Sequence, residues 1–132
     1  MDAGLRRLVW QRASGRCEYC RMRQEFDELT FQFEHVIPKK HHGPDEPGNL
    51  ALACFACNNH KGTNLSGLDP QTGKMTRLFH PRQDKWDEHF EWKEGRLIGL
   101  TAIGRTTIDV LAINLSYRCE LRMALIQEGV FP

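Results

Sequence analysis

The chain has 132 residues, of which 40% are hydrophobic and 27% charged, and its formal net charge at pH 7 is +1. This length allows one domain with a modest core, and the composition is ordinary for a soluble globular protein. The first residues contain no apolar signal segment, and no apolar run approaches the ~20 residues needed to span a bilayer. These features argue against a membrane protein and predict a cytoplasmic one, whereas the nearly balanced charge leaves the class of partner open.

The first half of the chain predicts a helix, a strand, a loop and a second helix, in that order. Residues 2–13 carry apolar side chains at helical spacing, whereas residues 29–37 alternate apolar and polar side chains as a half-buried strand does. The Gly- and Pro-containing letters KKHHGPDEPGN, residues 39–49, indicate an exposed loop. Residues 49–61 are predicted to be helical in one or two pieces, with Gly62 as the stop.

The second half predicts hairpins followed by helices. Residues 75–79 have the composition of a strand, and the letters HFEWKEGRLIGL indicate a hairpin that turns at Glu94-Gly95. From Thr101 onward, apolar residues at helical spacing predict two helices broken near residues 114–116. The fold class predicted from these patterns is α+β.

Four of the five cysteines form two Cys-x-x-Cys pairs, Cys17/Cys20 and Cys54/Cys57. In a reducing compartment, five cysteines favour a metal site over disulfides. A two-residue spacer in a tight turn lets both sulfurs face one centre, and two such turns complete a tetrahedral zinc site. The pairs are separated by more than the usual spacing of roughly 15–20 residues, which indicates an inserted hairpin and loop. Since four protein ligands leave no open position, this zinc would be structural.

A redox-active cysteine pair is the alternative to zinc. Thioredoxin-like redox pairs accompany a βαβ pattern, and no such pattern surrounds either pair in this chain. The fifth cysteine, Cys119, has apolar helical neighbours and is predicted to be a buried free thiol. Structural zinc is therefore the preferred interpretation of the four paired cysteines.

The segment from Cys17 to Gly62 resembles the HNH endonuclease family, in its zinc-knuckle branch. The motifs that carry the resemblance follow the family's order: CEYC (17–20), FEHVIP (33–38), GNL (48–50), CFAC (54–57) and NNHK (58–61). The resemblance implies a ββα-metal core at about residues 17–62, a β-hairpin packed on a helix and braced by the four-cysteine zinc site. The chain length predicts a single domain, 1–132, and the patterns above add an N-terminal helix and a C-terminal hairpin and helical extension at about 63–132.

The resemblance assigns a role to each motif residue. His35 would be the general base that takes a proton from the attacking water, and Asn49 would orient the His35 loop through hydrogen bonds. Glu34 and Asn58 would hold one catalytic divalent cation, Mg²⁺ or Mn²⁺, and the four cysteines would bind the structural zinc. The implied activity is metal-dependent hydrolysis of phosphodiester bonds in DNA, leaving 5′-phosphate and 3′-hydroxyl ends.

The residue types at these positions suit that chemistry. The ordinary pKa of a histidine, about 6.5, allows proton abstraction near neutral pH. Carboxylate and amide oxygens hold a hard cation that stabilises the charge developing on a phosphoryl group. Where this chain has Asn58 the family often has His, and His60 is the alternative ligand. Neighbouring strand residues point to opposite faces, so Glu34 and His35 can meet one phosphate only if the strand is distorted there.

Other interpretations stay open. The chain could be a non-catalytic zinc-binding module that binds nucleic acid or a protein partner, and RNA is an alternative substrate to DNA. No small-molecule substrate and no membrane partner are expected. His35 could be a structural, half-buried histidine and Asn49 a helix N-cap, since Asn is favoured at that position.

Overall fold

The computed structural model describes residues 1–132, which divide into two compact units. Unit 1 comprises Met1–Asn64 and His80–Gln83, and unit 2 comprises Leu65–Phe79 and Asp84–Pro132. Helices and three two-stranded antiparallel sheets make up the chain, so the predicted α+β class is confirmed. The organisation of the chain as a single domain stays a prediction.

Unit 1 begins with helix α1, Ala3–Ala13. The helix starts where it does because Asp2 Oδ1 accepts a hydrogen bond from Leu5 N at 2.8 Å, satisfying a backbone donor of the first turn. It buries Val9 and ends at Ser14, whose left-handed φ of 53° breaks the helix. The helix predicted for residues 2–13 is thereby confirmed.

A hairpin and a short helix follow in unit 1. Strand β1, Gln32–His35, pairs antiparallel with β2, Leu50–Ala53, so that His35 lies opposite Leu50. Helix α2, Phe55–Lys61, continues directly from β2. The hairpin and the helix after it form the ββα unit that the family resemblance implied. Three 3₁₀ turns also lie in unit 1: Gln24–Phe26, Lys39–His41 and Pro47–Asn49.

The prediction of helix from residue 49 onward was wrong for residues 50–53, which form β2. Leucine and alanine are strong helix formers, so the letters LALA favour a helix when they are considered locally. All four side chains are buried, which removes the polar alternation that usually marks a strand. Backbone pairing with β1 decides the conformation here, and the helix begins only after Cys54.

Unit 2 contains two hairpins and three helices. Its elements are β3 (Ser66–Leu68), β4 (Met75–Arg77), α3 (Trp86–His89), β5 (Phe90–Lys93), β6 (Arg96–Gly99), α4 (Ala102–Val110) and α5 (Ser116–Gln127). The predicted hairpin at Glu94-Gly95 and the two predicted C-terminal helices are confirmed. The fifth cysteine, Cys119, lies on α5 as a free thiol and is half-buried where full burial was predicted.

Two polar contacts help to hold unit 2 together. Arg105 donates two hydrogen bonds to the buried Asp69 carboxylate, at 3.0 and 2.9 Å, and these bonds hold the pKa of Asp69 far below its ordinary value. The buried Arg122 side chain donates to the backbone oxygens of Gly95 and Ile113, both at 2.7 Å. None of the helices combines the length and the apolar character that crossing a bilayer demands.

Candidate active site and metal centre

The four cysteines of the two Cys-x-x-Cys pairs come together in unit 1, as the sequence predicts. Their sulfur atoms all lie within 4.8 Å of one another, and all four residues are buried. Each pair is a tight turn in which a backbone N–H points at the first sulfur. Cys20 N lies 3.5 Å from Cys17 Sγ, and Cys57 N lies 3.4 Å from Cys54 Sγ. One turn precedes the hairpin and the other starts α2, so the cluster ties together the two ends of the hairpin.

The sulfur cluster fits a tetrahedral zinc ion. Zn–S bonds of about 2.3 Å place the sulfurs of a tetrahedron roughly 3.8 Å apart, and the sulfurs of Cys20 and Cys54 are 3.7 Å apart. Burial raises the pKa of the Cys17 and Cys57 thiols well above the ordinary value. A cation at the centre would supply the charge that stabilises these groups as thiolates. A closed set of four thiolates suits a structural ion and leaves no position for a substrate.

His35 lies at the end of β1, with its side chain directed toward the loop that joins the two strands. Its Nε2 is 2.5 Å from Oδ1 of Asp45, and the exposed fractions of the two side chains are 18% and 41%. This hydrogen bond lowers the pKa of Asp45 below its ordinary value, so the carboxylate is charged at neutral pH. An ionised carboxylate can only accept, so the contact places the proton of a neutral ring on Nε2 and leaves Nδ1 without a partner in the protein. The Asp45 carboxylate thus orients the ring of His35 and favours the tautomer with the proton on Nε2.

Glu34, the neighbour of His35, points into the interior of unit 1. Its Oε1 lies 2.7 Å from Nζ of Lys61, and the same ammonium group donates to Val36 O at 2.9 Å. The carboxylate and the lysine are both buried, and the buried hydroxyl of Tyr19 faces the same carboxylate. Burial raises the pKa of Glu34, and the charge of Lys61 opposes that shift. β1 therefore keeps its regular alternation, and His35 and Glu34 lie on opposite faces.

Asn49 joins the two ends of the loop between β1 and β2. Its side-chain oxygen accepts from Ile37 N at 2.9 Å, and its amide nitrogen donates to Ile37 O at 3.0 Å and to Pro44 O at 3.1 Å. A Cβ on Gly43 would lie 1.6 Å from Ile37 O, so only glycine fits at this crossing point. These contacts fix the loop that carries Asp45.

The polar residues of α2 lie in three different environments. Asn58 is half-buried, and no hydrogen bond within the protein engages its side-chain amide; Asn59 and His60 are exposed. Lys61, at the end of the helix, is 1% exposed. Of the two predicted hard-oxygen ligands, Asn58 is available to a cation, whereas the carboxylate of Glu34 is held by Lys61. The assignment of Glu34 and Asn58 to a catalytic cation stays a prediction.

Two residues of this region were missed by the sequence analysis, each for a physical reason. Asp45 lies ten positions beyond His35 in an irregular loop, where no periodicity indicates which side chains return to the strand. Lysine is almost never fully buried unless it is paired, and the pairing of Lys61 with Glu34 depends on how α2 packs on β1. The only available signal was the turn-forming composition around Asp45, which indicates that the loop folds back on itself.

Replacing Lys61 by methionine should lower the free energy of unfolding by about 3–5 kcal/mol, because it leaves the carboxylate of Glu34 buried without its counter-charge. In the parent protein, the free energy of unfolding should also fall as the pH rises above the ordinary carboxyl pKa. The raised pKa of Glu34 means that the folded state holds this proton more tightly than the unfolded state does. Urea unfolding at several pH values measures both effects. Lys74→Met, at an exposed lysine, is the matched control.

The double variant Glu34→Gln/Lys61→Met provides a second test of the same contact. It removes both charges, so much of the lost stability should return. A Lys61→Met protein as stable as the Lys74→Met control would contradict the buried ion pair.

A segment of unit 1 matches a known protein family. Residues 17–64 match the sequence model of the HNH endonuclease family, and this segment is an HNH endonuclease domain, as the resemblance indicated. The chain is also similar to the Septu protein PtuB of Bacillus thuringiensis, with 30% identity over 105 residues. A second relative, the Septu protein PtuA of Bacillus mycoides (strain KBAB4), is 24% identical over 139 residues. No solved structure matches the chain significantly.

The chain aligns with only part of the length of each relative. The PtuB match includes 77% of this chain but 38% of that protein, and the PtuA match includes 87% of this chain but 20% of that protein. The chain thus spans about two fifths of one relative and one fifth of the other. The similarity supports nuclease-type function at the level of the family domain.

Proposed function

We propose that this protein is a metal-dependent endonuclease that hydrolyses phosphodiester bonds in DNA. The observation that carries the proposal is the contact between His35 and Asp45, since it holds a histidine at the strand end with its Nδ1 free. Hydrolysis of a phosphodiester requires a base that takes a proton from the attacking water. A surface histidine with no catalytic task would gain little from a favoured tautomer. The HNH domain supplies the class of reaction.

In the proposed mechanism, Nδ1 of His35 accepts the proton from water as the oxygen attacks phosphorus. The Asp45 carboxylate accepts from Nε2–H and stabilises the positive imidazolium that forms. Asn49 keeps the loop that carries Asp45 in place through its bonds to Ile37 and Pro44. The four cysteines, with a structural zinc ion, would hold the hairpin against α2.

A divalent cation, Mg²⁺ or Mn²⁺, would stabilise the negative charge on the phosphoryl oxygens when it is bound. Asn58 is the residue we propose to hold it, because its amide oxygen is free of protein hydrogen bonds. Glu34 is less suited to this role, since its carboxylate forms an ion pair with Lys61 inside unit 1. We therefore propose Asn58 as ligand and place Glu34 among the residues that support β1.

Cleavage of supercoiled plasmid DNA by the purified protein tests the proposal. Cleavage should require added Mg²⁺ or Mn²⁺, and Asn58→Ala should raise the cation concentration needed for half-maximal cleavage by roughly 10- to 100-fold. His60→Ala should leave that concentration unchanged, because His60 is exposed one residue before the end of α2. The reverse result would assign the cation to His60. Absence of cleavage with every divalent cation tried, by a folded protein with intact thiol cluster, would refute the nuclease proposal.

One observation favours a second candidate function. With Glu34 engaged by Lys61, fewer hard-oxygen ligands are available than a catalytic cation usually takes. A zinc-braced module that binds nucleic acid or a protein without cutting would need no such cation. DNA binding without cleavage under the conditions above would establish this alternative, with RNA tested in parallel.

A further inference from the structure

The loop between β1 and β2 is fixed by many hydrogen bonds. Pro38 O accepts from His41 N at 2.9 Å and from Gly43 N at 3.1 Å, which closes the 3₁₀ turn Lys39–His41. The His41 ring nitrogen Nε2 lies 3.2 Å from Thr63 O, which anchors the turn to the segment after α2. Together with the bonds of Asn49, these contacts hold the turn against the rest of unit 1.

Two exposed lysines lie on this turn, and the first of them shares a partner with His35. Lys39 has a 71% exposed side chain, and its Nζ lies 3.9 Å from Oδ1 of Asp45, the same oxygen that contacts Nε2 of His35. Lys40 is exposed and forms no ion pair. The turn therefore places a cationic group next to the proposed base and a second one on the adjacent residue.

The charge and the position of these lysines suit the binding of phosphate groups. A DNA strand carries one negative charge per roughly 3.4 Å of helix axis, so a strand that presents one phosphate to His35 has further phosphates close by on either side. A lysine ammonium group binds phosphate as a point charge and does not need the planar fork of arginine. Because the turn is already ordered, binding would cost little backbone entropy.

We propose that the Lys39–Lys40 turn binds the DNA phosphates that flank the phosphodiester bond facing His35. This inference rests on the proposed nuclease function and adds to it the surface that holds the substrate backbone. The contacts are to the backbone, so they contribute affinity and register and carry no base preference. The lysines act on substrate binding, whereas His35 and Asp45 act on the chemical step.

The test is the salt dependence of DNA binding. Affinity of the Asn58→Ala protein for a short fluorescent duplex, without added divalent cation, is measured by anisotropy over a range of NaCl concentrations. Adding Lys39→Gln and Lys40→Gln should make the slope of log K against log[NaCl] shallower by about 1.8, which corresponds to two lost phosphate contacts. Lys74→Gln/Lys85→Gln removes the same charge at exposed positions in unit 2 and should leave the slope unchanged.

Four further measurements make the result decisive. Lys39→Arg/Lys40→Arg should keep the slope of the parent, and the melting temperature should stay constant because both side chains are exposed. In the protein with Asn58 intact, Lys39→Gln/Lys40→Gln should raise KM with little change in kcat, as expected for loss of uniform binding. A duplex RNA of the same sequence should show a smaller change in slope if duplex DNA is the ligand, and a larger one would reassign the substrate to RNA.

The outcomes separate this inference from the nuclease proposal. Cleavage by the parent protein together with an unchanged slope in the Lys39/Lys40 variant would overturn the phosphate-binding turn and leave the nuclease standing. A shallower slope in a protein that never cleaves would refute the nuclease and support the turn. Equal changes in the Lys39/Lys40 and Lys74/Lys85 variants would also overturn the inference, because the effect would then reflect net charge alone.

Discussion

Replacing His35 by alanine is expected to lower the rate of DNA cleavage by about 10²- to 10⁴-fold, the usual contribution of general acid–base catalysis. The variant loses the nitrogen proposed to accept the proton of water, while the proposed cation ligand Asn58 and the Lys39–Lys40 turn stay in place. Single-turnover cleavage of plasmid or duplex DNA at saturating Mg²⁺ or Mn²⁺ measures the effect. Folding should change little, because β1 is held by backbone pairing with β2 and by the buried contact between Glu34 and Lys61.

Matched histidine variants control for general effects of removing an imidazole. His42→Ala and His60→Ala change exposed residues and should retain most of the activity. Asp45→Asn should fall between these and His35→Ala, with a loss of up to about 100-fold, because it misorients the ring without removing it. Full activity in His35→Ala, with zinc content equal to the parent, would contradict the role assigned to this histidine.

Removing zinc is expected to unfold the region between the two cysteine pairs. Apparent binding free energies of structural zinc in small domains are about 10–16 kcal/mol, larger than the stability of a hairpin and a seven-residue helix on their own. Without the ion, four buried thiols would face one another with no charge at their centre. Far-UV circular dichroism during titration with a strong chelator should show the loss of structure, and readdition of zinc should restore it.

Cysteine variants distinguish the metal site from a redox pair. Cys57→Ser should lower zinc content and unfold the same region, whereas Cys119→Ser should do neither, because Cys119 lies on α5 outside the cluster. Chelation should expose Cys17, Cys20, Cys54 and Cys57 to a thiol reagent together. If the four thiols react at the same rate with and without chelator, or if a disulfide forms reversibly within one pair, the zinc interpretation fails.

The part of the site that could be predicted from sequence is the part encoded by short spacing. A Cys-x-x-Cys turn brings two sulfurs together through local geometry alone, and the two pairs do meet. The strand predicted for residues 29–37 forms over the shorter range Gln32–His35, and it was predictable because apolar and polar residues alternate there. Helix α1 was predictable because its apolar residues recur at helical spacing and Asp2 caps it.

The part that could not be predicted depends on contacts between residues far apart in the sequence. The letters LALA form strand β2 because backbone pairing with β1 outweighs their local preference for a helix. The ion pair between Glu34 and Lys61, 27 positions later in the chain, depends on how α2 packs on β1. The role of Asp45 could not be predicted from the sequence, because its position depends on how the hydrogen bonds of Asn49 fold the loop.

The sequence by itself determined the HNH motif, the four-thiol cluster and the identity of the proposed base, because these follow from residue type and short spacing. Only the tertiary structure decided the direction in which each side chain points. Strand alternation sends Glu34 inward and His35 outward, and the packing of α2 and the fold of the loop then decide which partners they meet. Such partners are set by three-dimensional packing, which linear spacing does not encode.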